Sequence, residues 1–343
     1  MPFEDAEYAV QFILDHFYDA PYWPQLPRGG LDEQMEIQYS EGLPGVVIDR
    51  VNGRIYFNTA DDISDELGQF YEQYMTAMDA ESGTGDCSAL AITPARSRGL
   101  YAFERSLKAR NSKVPFVKLQ ITGPITFALT VTDEAKRAIY YNEQFRDMIV
   151  KAITMKARWQ IQKFAPYGEK VICFVDEPIL SAFGSSTYVT VQRSEVVAIL
   201  SEVIAAIHQD HALAGIHCCG NTEWSILVDA GVDILSFDAF EFGETLAIYA
   251  EAMQRFLGKG GIIAWGISPT SNKIHTQTTD SLVEKLEGLM KHLAATGIDF
   301  QTIINQSIIT PSCGTGTLSP SDAEKVIKMM NEVAAVMKQK YGA

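Results

Sequence analysis

Apolar residues recur at helical spacing near the start of the chain, at Ala9, Val10, Phe12, Ile13 and Phe17, and the spacing predicts a helix over residues 4–18. Pro21, Pro24 and Pro27 interrupt the pattern and predict an irregular loop. Residues 46–49 and 54–57 read as short strands around Val51-Asn52-Gly53, and the Asn-Gly pair predicts a β-hairpin. A helical stretch over 63–78 and a small, polar, Gly-rich patch at 81–87, expected as a surface loop, follow. The pattern then alternates. Strands are predicted at 116–121, 170–175, 213–216, 233–237, 261–266 and 303–309. Helices are predicted at 145–164, 194–209, 222–230, 243–256, 279–296 and 319–338, the last with Ser319 or Ser321 as its N-cap.

Strands alternating with helices imply a parallel sheet covered by helices. Six strand–helix units run from Phe116 onward, and the hairpin is a candidate seventh strand. A doubly wound sheet shows the same alternation. The strand ends decide the expectation, because they carry Thr122, Asp176, Glu177, His217, Cys219, Asp238, Ser268 and Cys313. A closed barrel gathers its strand ends at one mouth, where such residues would converge. The expected architecture is therefore α/β, a single-domain (β/α)8 TIM barrel over residues 1–343. Residues 1–110 would form an N-terminal part with the hairpin as an insertion, and 111–343 the repeats that carry the site.

Composition narrows the function classes. With 47% hydrophobic and 21% charged residues, the chain matches a soluble globular protein with a large core. No apolar run is long enough for a transmembrane span, and the N-terminus lacks the basic start and apolar run of a secretory signal, so a cytoplasmic location without a membrane partner is expected. A formal net charge of −15 argues against a nucleic-acid partner, since phosphate contacts need clustered Lys and Arg. Five cysteines, an odd number, argue against a disulfide framework.

The chemistry concentrates in His217-Cys218-Cys219-Gly220 and in Ser312-Cys313-Gly314. In an extended strand end, residues two apart point the same way, so His217 and Cys219 share a face that Cys218 leaves. A lone cysteine is commonly a small buried hydrophobe, and Cys87 and Cys173 read so. A matching Cys313 after the last strand shifts the reading of the other two toward metal. One imidazole and two thiolates suit Zn2+. Only three such ligands are apparent, which leaves a fourth position for an acidic residue or an incoming thiol, as in catalytic sites.

Five segments resemble the catalytic domain of cobalamin-independent methionine synthase and its shorter relatives, in the superfamily that also contains uroporphyrinogen decarboxylase. They are Leu119-Gln120-Ile121-Thr122-Gly123-Pro124-Ile125-Thr126, Val175-Asp176-Glu177-Pro178, Ile216-His217-Cys218-Cys219, Ile234-Leu235-Ser236-Phe237-Asp238 and Thr310-Pro311-Ser312-Cys313-Gly314. They stand in the family's order over residues 115–335. The resemblance implies zinc held by His217, Cys219 and Cys313. It also implies an acidic ligand at the end of the sixth strand, where Asp238 stands and Glu241 is the alternative. It further implies that Asp176 binds the amino group of the substrate; Glu177, Gln120 and Ser268 are further substrate-binding candidates. The implied function is a zinc-dependent methyltransferase that moves a methyl group to homocysteine or a similar small thiol, in methionine biosynthesis or a related reaction.

Two departures bear on the details. Where the family carries a catalytic His before the Ser-Pro that ends its seventh strand, this chain has Ile267, and His275 is the nearby imidazole and the catalytic candidate. The family opens with a first strand and a short substrate-binding loop, and Met1-Pro2 resembles the end of that loop, so the first strand is expected to be truncated or replaced. No counterpart of the extra domain of full-length folate enzymes is present, which tilts the expected donor from folate toward a methylcorrinoid protein. Two alternatives stay open: a uroporphyrinogen decarboxylase-like enzyme, which needs no metal, and a non-catalytic partner protein that binds a corrinoid or a metal.

Overall fold

A computed structural model of the chain describes residues 1–78 and 85–342, so residues 81–84 of the expected polar loop lie outside the described residues. The chain divides into two compact units. The first comprises Glu4–Glu177 with Ala198–Leu213, and the second Met1–Phe3, Pro178–Val197 and everything from Ala214.

The first unit opens with helix α1 (Ala6–His16), whose Asp5 side chain caps the Tyr8 amide and whose Ala9, Val10, Phe12 and Ile13 are buried. Helix α2 (Met35–Tyr39) and the hairpin strands β1 (Val46–Asp49) and β2 (Arg54–Phe57) follow, paired antiparallel from Val46–Phe57 to Asp49–Arg54. The Asp49 carboxylate ties the turn by accepting from the Asn52 amide at 3.0 Å. After α3 (Ser64–Met78) and α4 (Arg98–Lys108) comes the nine-residue β3 (Val114–Thr122). The short α5 (Pro124–Thr130) and β4 (Thr132–Asp133) lead into α6 (Glu143–Phe164), and β5 (Gly168–Asp176) then pairs parallel with β3, from Val114–Gly168 to Thr122–Asp176. The larger part of α7 (Arg193–Gln209) also belongs to this unit.

Helix α6 is buried around most of its circumference, including Thr154, Lys156, Arg158 and Gln160. A helix apolar on one face only would sit at the surface; one buried all round lies at the centre of its unit. Each of these polar side chains therefore needs a partner inside. Lys156 donates to the carbonyls of Glu41 (2.7 Å) and Leu90 (2.9 Å), and Arg158 forms a two-pronged ion pair with Asp210 at 2.8 and 3.0 Å.

The second unit repeats strand and helix. It contains β6 (Leu213–Cys218), α8 (Trp224–Asp229), β7 (Ile234–Phe237), α9 (Ala239–Phe242) and α10 (Ala250–Gly258). It continues with β8 (Ile262–Ser268), α11 (Thr279–Ala294), α12 (Phe300–Asn305), β9 (Ser307–Pro311) and α13 (Pro320–Tyr341), whose N-cap is Ser319. Strands β6 to β9 pair in chain order and all parallel. Ile234, Leu235, Phe237, Ile263, Ala264, Trp265 and Ile267 are fully buried, as expected of parallel strands covered on both faces.

Three expectations are corrected. The closed (β/α)8 barrel is not formed: outside a small mixed sheet, the parallel strands among the described residues number six (β3 and β5 in the first unit, β6 to β9 in the second), not eight. The hairpin does not supply a seventh. β2 has β1 on one edge and β4 on the other, in a separate three-stranded mixed sheet, so both of its hydrogen-bonding edges are used there. The strand expected at 303–309 begins only at Ser307. Asp299 caps the Thr302 amide at 2.8 Å and starts α12, which takes Ile303 and Ile304 into a helix despite their branching. No helix among the described residues is long and apolar enough to cross a membrane.

Burial pushes the Lys156 ammonium down to about 7, with Glu41 opposing the shift and Arg96 adding to it. The folded pKa lies below the ordinary lysine value, so between pH 7 and about 10.4 the unfolded chain binds the extra proton, and this group's contribution to stability rises with pH. Lys156→Met is expected to destabilise the fold by about 1–3 kcal/mol, because it leaves two buried carbonyls unpaired. The difference in unfolding free energy between parent and variant should widen from pH 7 to pH 10; parallel pH profiles in chemical denaturation would show that Lys156 does not titrate in that window.

Candidate metal centre

The centre is built within the second unit from the ends of β6, β7 and β9. Alternation along β6 turns His217 to one face and buries Cys218 completely on the other. Cys219, just past the strand, comes back to the His217 side: the imidazole Nε2 and the Cys219 Sγ are 3.1 Å apart. The register of β6 and β7 sets Ser236 directly beside His217, and its Oγ lies 3.0 Å from the imidazole Nδ1. With Nδ1 engaged by a hydroxyl, the other ring nitrogen is the one presented to the sulfurs, the usual arrangement behind a metal-bound imidazole.

Cys313 arrives from the loop after β9. Between Gly266 and Ser268 the β8–β9 register shifts: Gly266 faces Thr310, Ser268 faces Pro311, and Ile267 is the extra, fully buried residue of the bulge. Gly266 is required here, because a Cβ would lie 2.3 Å from the Phe237 carbonyl oxygen and 2.8 Å from the Ser312 Cα. The incoming loop is then latched. The Ser312 amide donates to the Ser268 carbonyl at 2.9 Å, and the buried Ser312 Oγ accepts from the Thr270 amide at 3.1 Å and lies 3.0 Å from the Thr270 hydroxyl. This places the Cys313 Sγ 3.0 Å from the Cys219 Sγ.

His217, Cys219 and Cys313 thus offer one nitrogen and two sulfurs within 4.8 Å of one another, a group able to hold a metal ion. All three are half-buried, so the centre keeps an open side. None of the five cysteines forms a disulfide. The Cys313 thiol is pulled well below its ordinary value, first by hydrogen bonding with Cys219 and then by His217, against the opposing effect of burial. A donor set of two sulfurs and an imidazole, one sulfur already disposed to lose its proton, fits Zn2+ and disfavours hard cations such as Mg2+. Cys87, Cys173 and Cys218 are buried, and burial raises the Cys173 thiol to about 12.

The remaining candidates are spread differently. Asp238 is not in the three-residue group; its carboxylate caps α9, accepting from the Glu241 amide at 3.0 Å, and burial raises its pKa. Glu241 pairs with Lys273 at 2.5 Å. The Ser268 hydroxyl donates to the Val326 carbonyl of α13 at 2.8 Å and is fully buried. His275 is half-exposed and pairs with Asp322, Nε2 to Oδ1 at 3.1 Å, outside the metal group.

Gln120, Asp176 and Glu177 belong to the first unit. The Gln120 amide is committed: Nε2 donates to the Trp23 carbonyl at 2.9 Å, and Oε1 accepts from Lys118 at 3.2 Å. Asp176 is half-buried at the end of β5, where its carbonyl accepts from the Gly123 amide at 2.8 Å. The fully buried Glu177 carboxylate caps α5. It accepts from the amides of Ile125 (3.0 Å) and Thr126 (2.8 Å) and from the Thr126 hydroxyl (2.6 Å). Burial nevertheless raises its pKa to about 7. Gly123 leaves room for it, since a Cβ there would lie 2.0 Å from the Glu177 carboxyl carbon.

Comparison of the sequence with protein-family models found no match, and comparison with curated proteins found none either. The sequence pattern does not single out Ser236, Ser312 or Thr270, although Ser236 and Ser312 lie inside two of the family-like segments. Their roles depend on strand register and on the bulge, which carry no local signal. Ser236→Ala should leave the fold intact and weaken metal affinity about 10–100-fold, as removal of an outer-sphere partner does. Competition with a chelating dye measures this, and an unchanged affinity would show that the hydroxyl does not orient His217.

Proposed function

We propose that this chain is a zinc-dependent thiol methyltransferase akin to the cobalamin-independent methionine synthase family, with the ion held by His217, Cys219 and Cys313. The observation that carries the reading is the convergence of one imidazole and two thiols, from positions 94 residues apart in sequence, on an open-sided centre. The five family-like segments include all three residues. When bound, zinc keeps an incoming thiol deprotonated at neutral pH, where a free thiol with a pKa near 8.5 is only a few per cent thiolate.

The chain's own residues divide the remaining work. His217 is oriented by Ser236, and Cys313 is positioned by the Ser312–Thr270 latch. As metal ligands, Cys219 and Cys313 would bring two negative charges to the centre, which would favour an electron-rich incoming sulfur. That sulfur displaces a methyl group in line from its donor. A folate methyl sits on a tertiary amine, which must be protonated to leave, so a positioned acid matters. Ile267 is fully buried in the β8–β9 bulge and offers no proton, and His275 is turned to solvent with Asp322. These facts favour a methylcorrinoid donor, whose cobalt leaves without a proton, and a small thiol such as homocysteine or coenzyme M as acceptor.

Metal analysis of the purified protein should find about one zinc per chain. Cys219→Ser and Cys313→Ser should lose it with the circular dichroism spectrum unchanged, whereas Cys218→Ser should retain it. With zinc bound, methylcobalamin is expected to methylate one of these thiols and methyltetrahydrofolate to be inactive. Turnover with the folate alone would overturn the donor. A zinc-bearing protein inactive with every donor and thiol would instead support a non-catalytic metal-binding role.

A further inference from the structure

We propose that Cys219 and Cys313 also form a thiol-based redox switch, closing to a disulfide when an oxidant such as hydrogen peroxide reaches the centre. The two Sγ atoms are 3.0 Å apart, about 1 Å beyond the length of a disulfide bond. Both lie half-buried at the open side of the centre, whereas Cys87, Cys173 and Cys218 are buried. Oxidation follows access, and a sulfur oxidised beside a second thiol is resolved by it before it can be oxidised further. No other pair among the described cysteines combines that access with a partner at such a distance.

The chemistry balances in two steps. One sulfur attacks a peroxide oxygen; the O–O bond breaks, hydroxide leaves and a sulfenic acid forms. The second sulfur then attacks the sulfenic sulfur; the S–S bond forms, the S–O bond breaks and the oxygen departs as water. Two thiols and one hydrogen peroxide give one disulfide and two waters, with two electrons passing from sulfur to oxygen. A dithiol reverses the reaction by exchange.

The structure around the pair suits such a cycle. His217 is held by Ser236, and Cys313 by the Ser312–Thr270 latch, and closure draws together two sulfurs that already lie 3.0 Å apart. The bond would join the end of β6 to the loop after β9. Both sulfurs would then be lost as thiolate ligands. That consequence rests on the proposed metal site, whereas disulfide formation itself does not.

The test treats the native chain, first stripped of metal and then zinc-loaded, with hydrogen peroxide and quenches it with an alkylating reagent under denaturing conditions. In the metal-free protein the alkylated thiols should fall from five to three, with a linked Cys219–Cys313 peptide in the digest and full recovery after dithiothreitol. Cys218→Ser should fall from four to two and yield the same linked peptide. In the zinc-loaded protein, release of zinc to a chelating dye should run in step with thiol loss. Retention of all five thiols, sulfinic or sulfonic acid without the link, or a link through Cys218 would overturn the switch. A link that forms while zinc stays bound would overturn its coupling to the metal. If the protein takes up no zinc at all, the metal reading fails while the metal-free result still decides the switch.

Discussion

A polar group withdrawn from water must find its partner inside the protein, and that demand shapes both units. In the first, Trp23, Tyr39, Gln120 and Gln160 form one buried network. The indole of Trp23 donates to Gln160, the amide of Gln160 and the hydroxyl of Tyr39 donate to the Gln120 carbonyl, and the amide of Gln120 donates back to the Trp23 carbonyl. An unmade hydrogen bond at such a depth costs about 1–3 kcal/mol, more than a made one contributes, so these side chains are held where they are. Lys156 and Glu177 follow the same rule. Each takes a charge-bearing group into the interior, and each is surrounded by groups that satisfy it.

The same demand gives several of the candidate polar residues partners within the fold. Gln120, Glu177 and Ser268 look like functional residues in sequence, yet their polar atoms are engaged by the fold itself. Asp238 caps a helix. The two sulfurs of Cys219 and Cys313 differ: they lie against each other and beside His217, at the open side of the centre. With His217 they make up a group that could hold a metal ion.

The site depends on two features of parallel strand geometry. Side chains alternate across a strand, which divides the adjacent Cys218 and Cys219 between core and centre. Neighbouring strands hold a fixed register, which puts Ser236 beside His217. The bulge at Ile267 adds a third feature. It shifts β9 by one residue against β8 and brings Ser312 into the latch that sets Cys313. Gly266 makes room for this by having no side chain.

Hydrophobic spacing is a local property, and much of the architecture is legible from it. Periodicity locates the hairpin strands to the residue, the long helices α3, α6, α7, α11 and α13, and all six parallel strands to within a few residues. His217, Cys219 and Cys313 are legible for the same reason: residue type and alternation identify a donor pair, and a lone late cysteine completes it. What tertiary structure decided was every pairing between distant segments. Whether the hairpin joined the parallel strands depended on β4, a two-residue partner with no periodicity to announce it. Ile303 and Ile304 read as strand, but a single cap at Asp299 drew them into a helix. Gln120 and Glu177 read as substrate-binding candidates, and only packing sets the groups that engage their polar atoms: the Trp23 carbonyl and Lys118 for Gln120, and the Ile125 and Thr126 amides and the Thr126 hydroxyl for Glu177. Ser236 and Ser312 carry no signal until strand register brings them beside His217 and the Cys313 loop. A side chain's chemistry is written in its own residue, but its partners are set by which segments pack together, and hydrogen-bond satisfaction is settled only then.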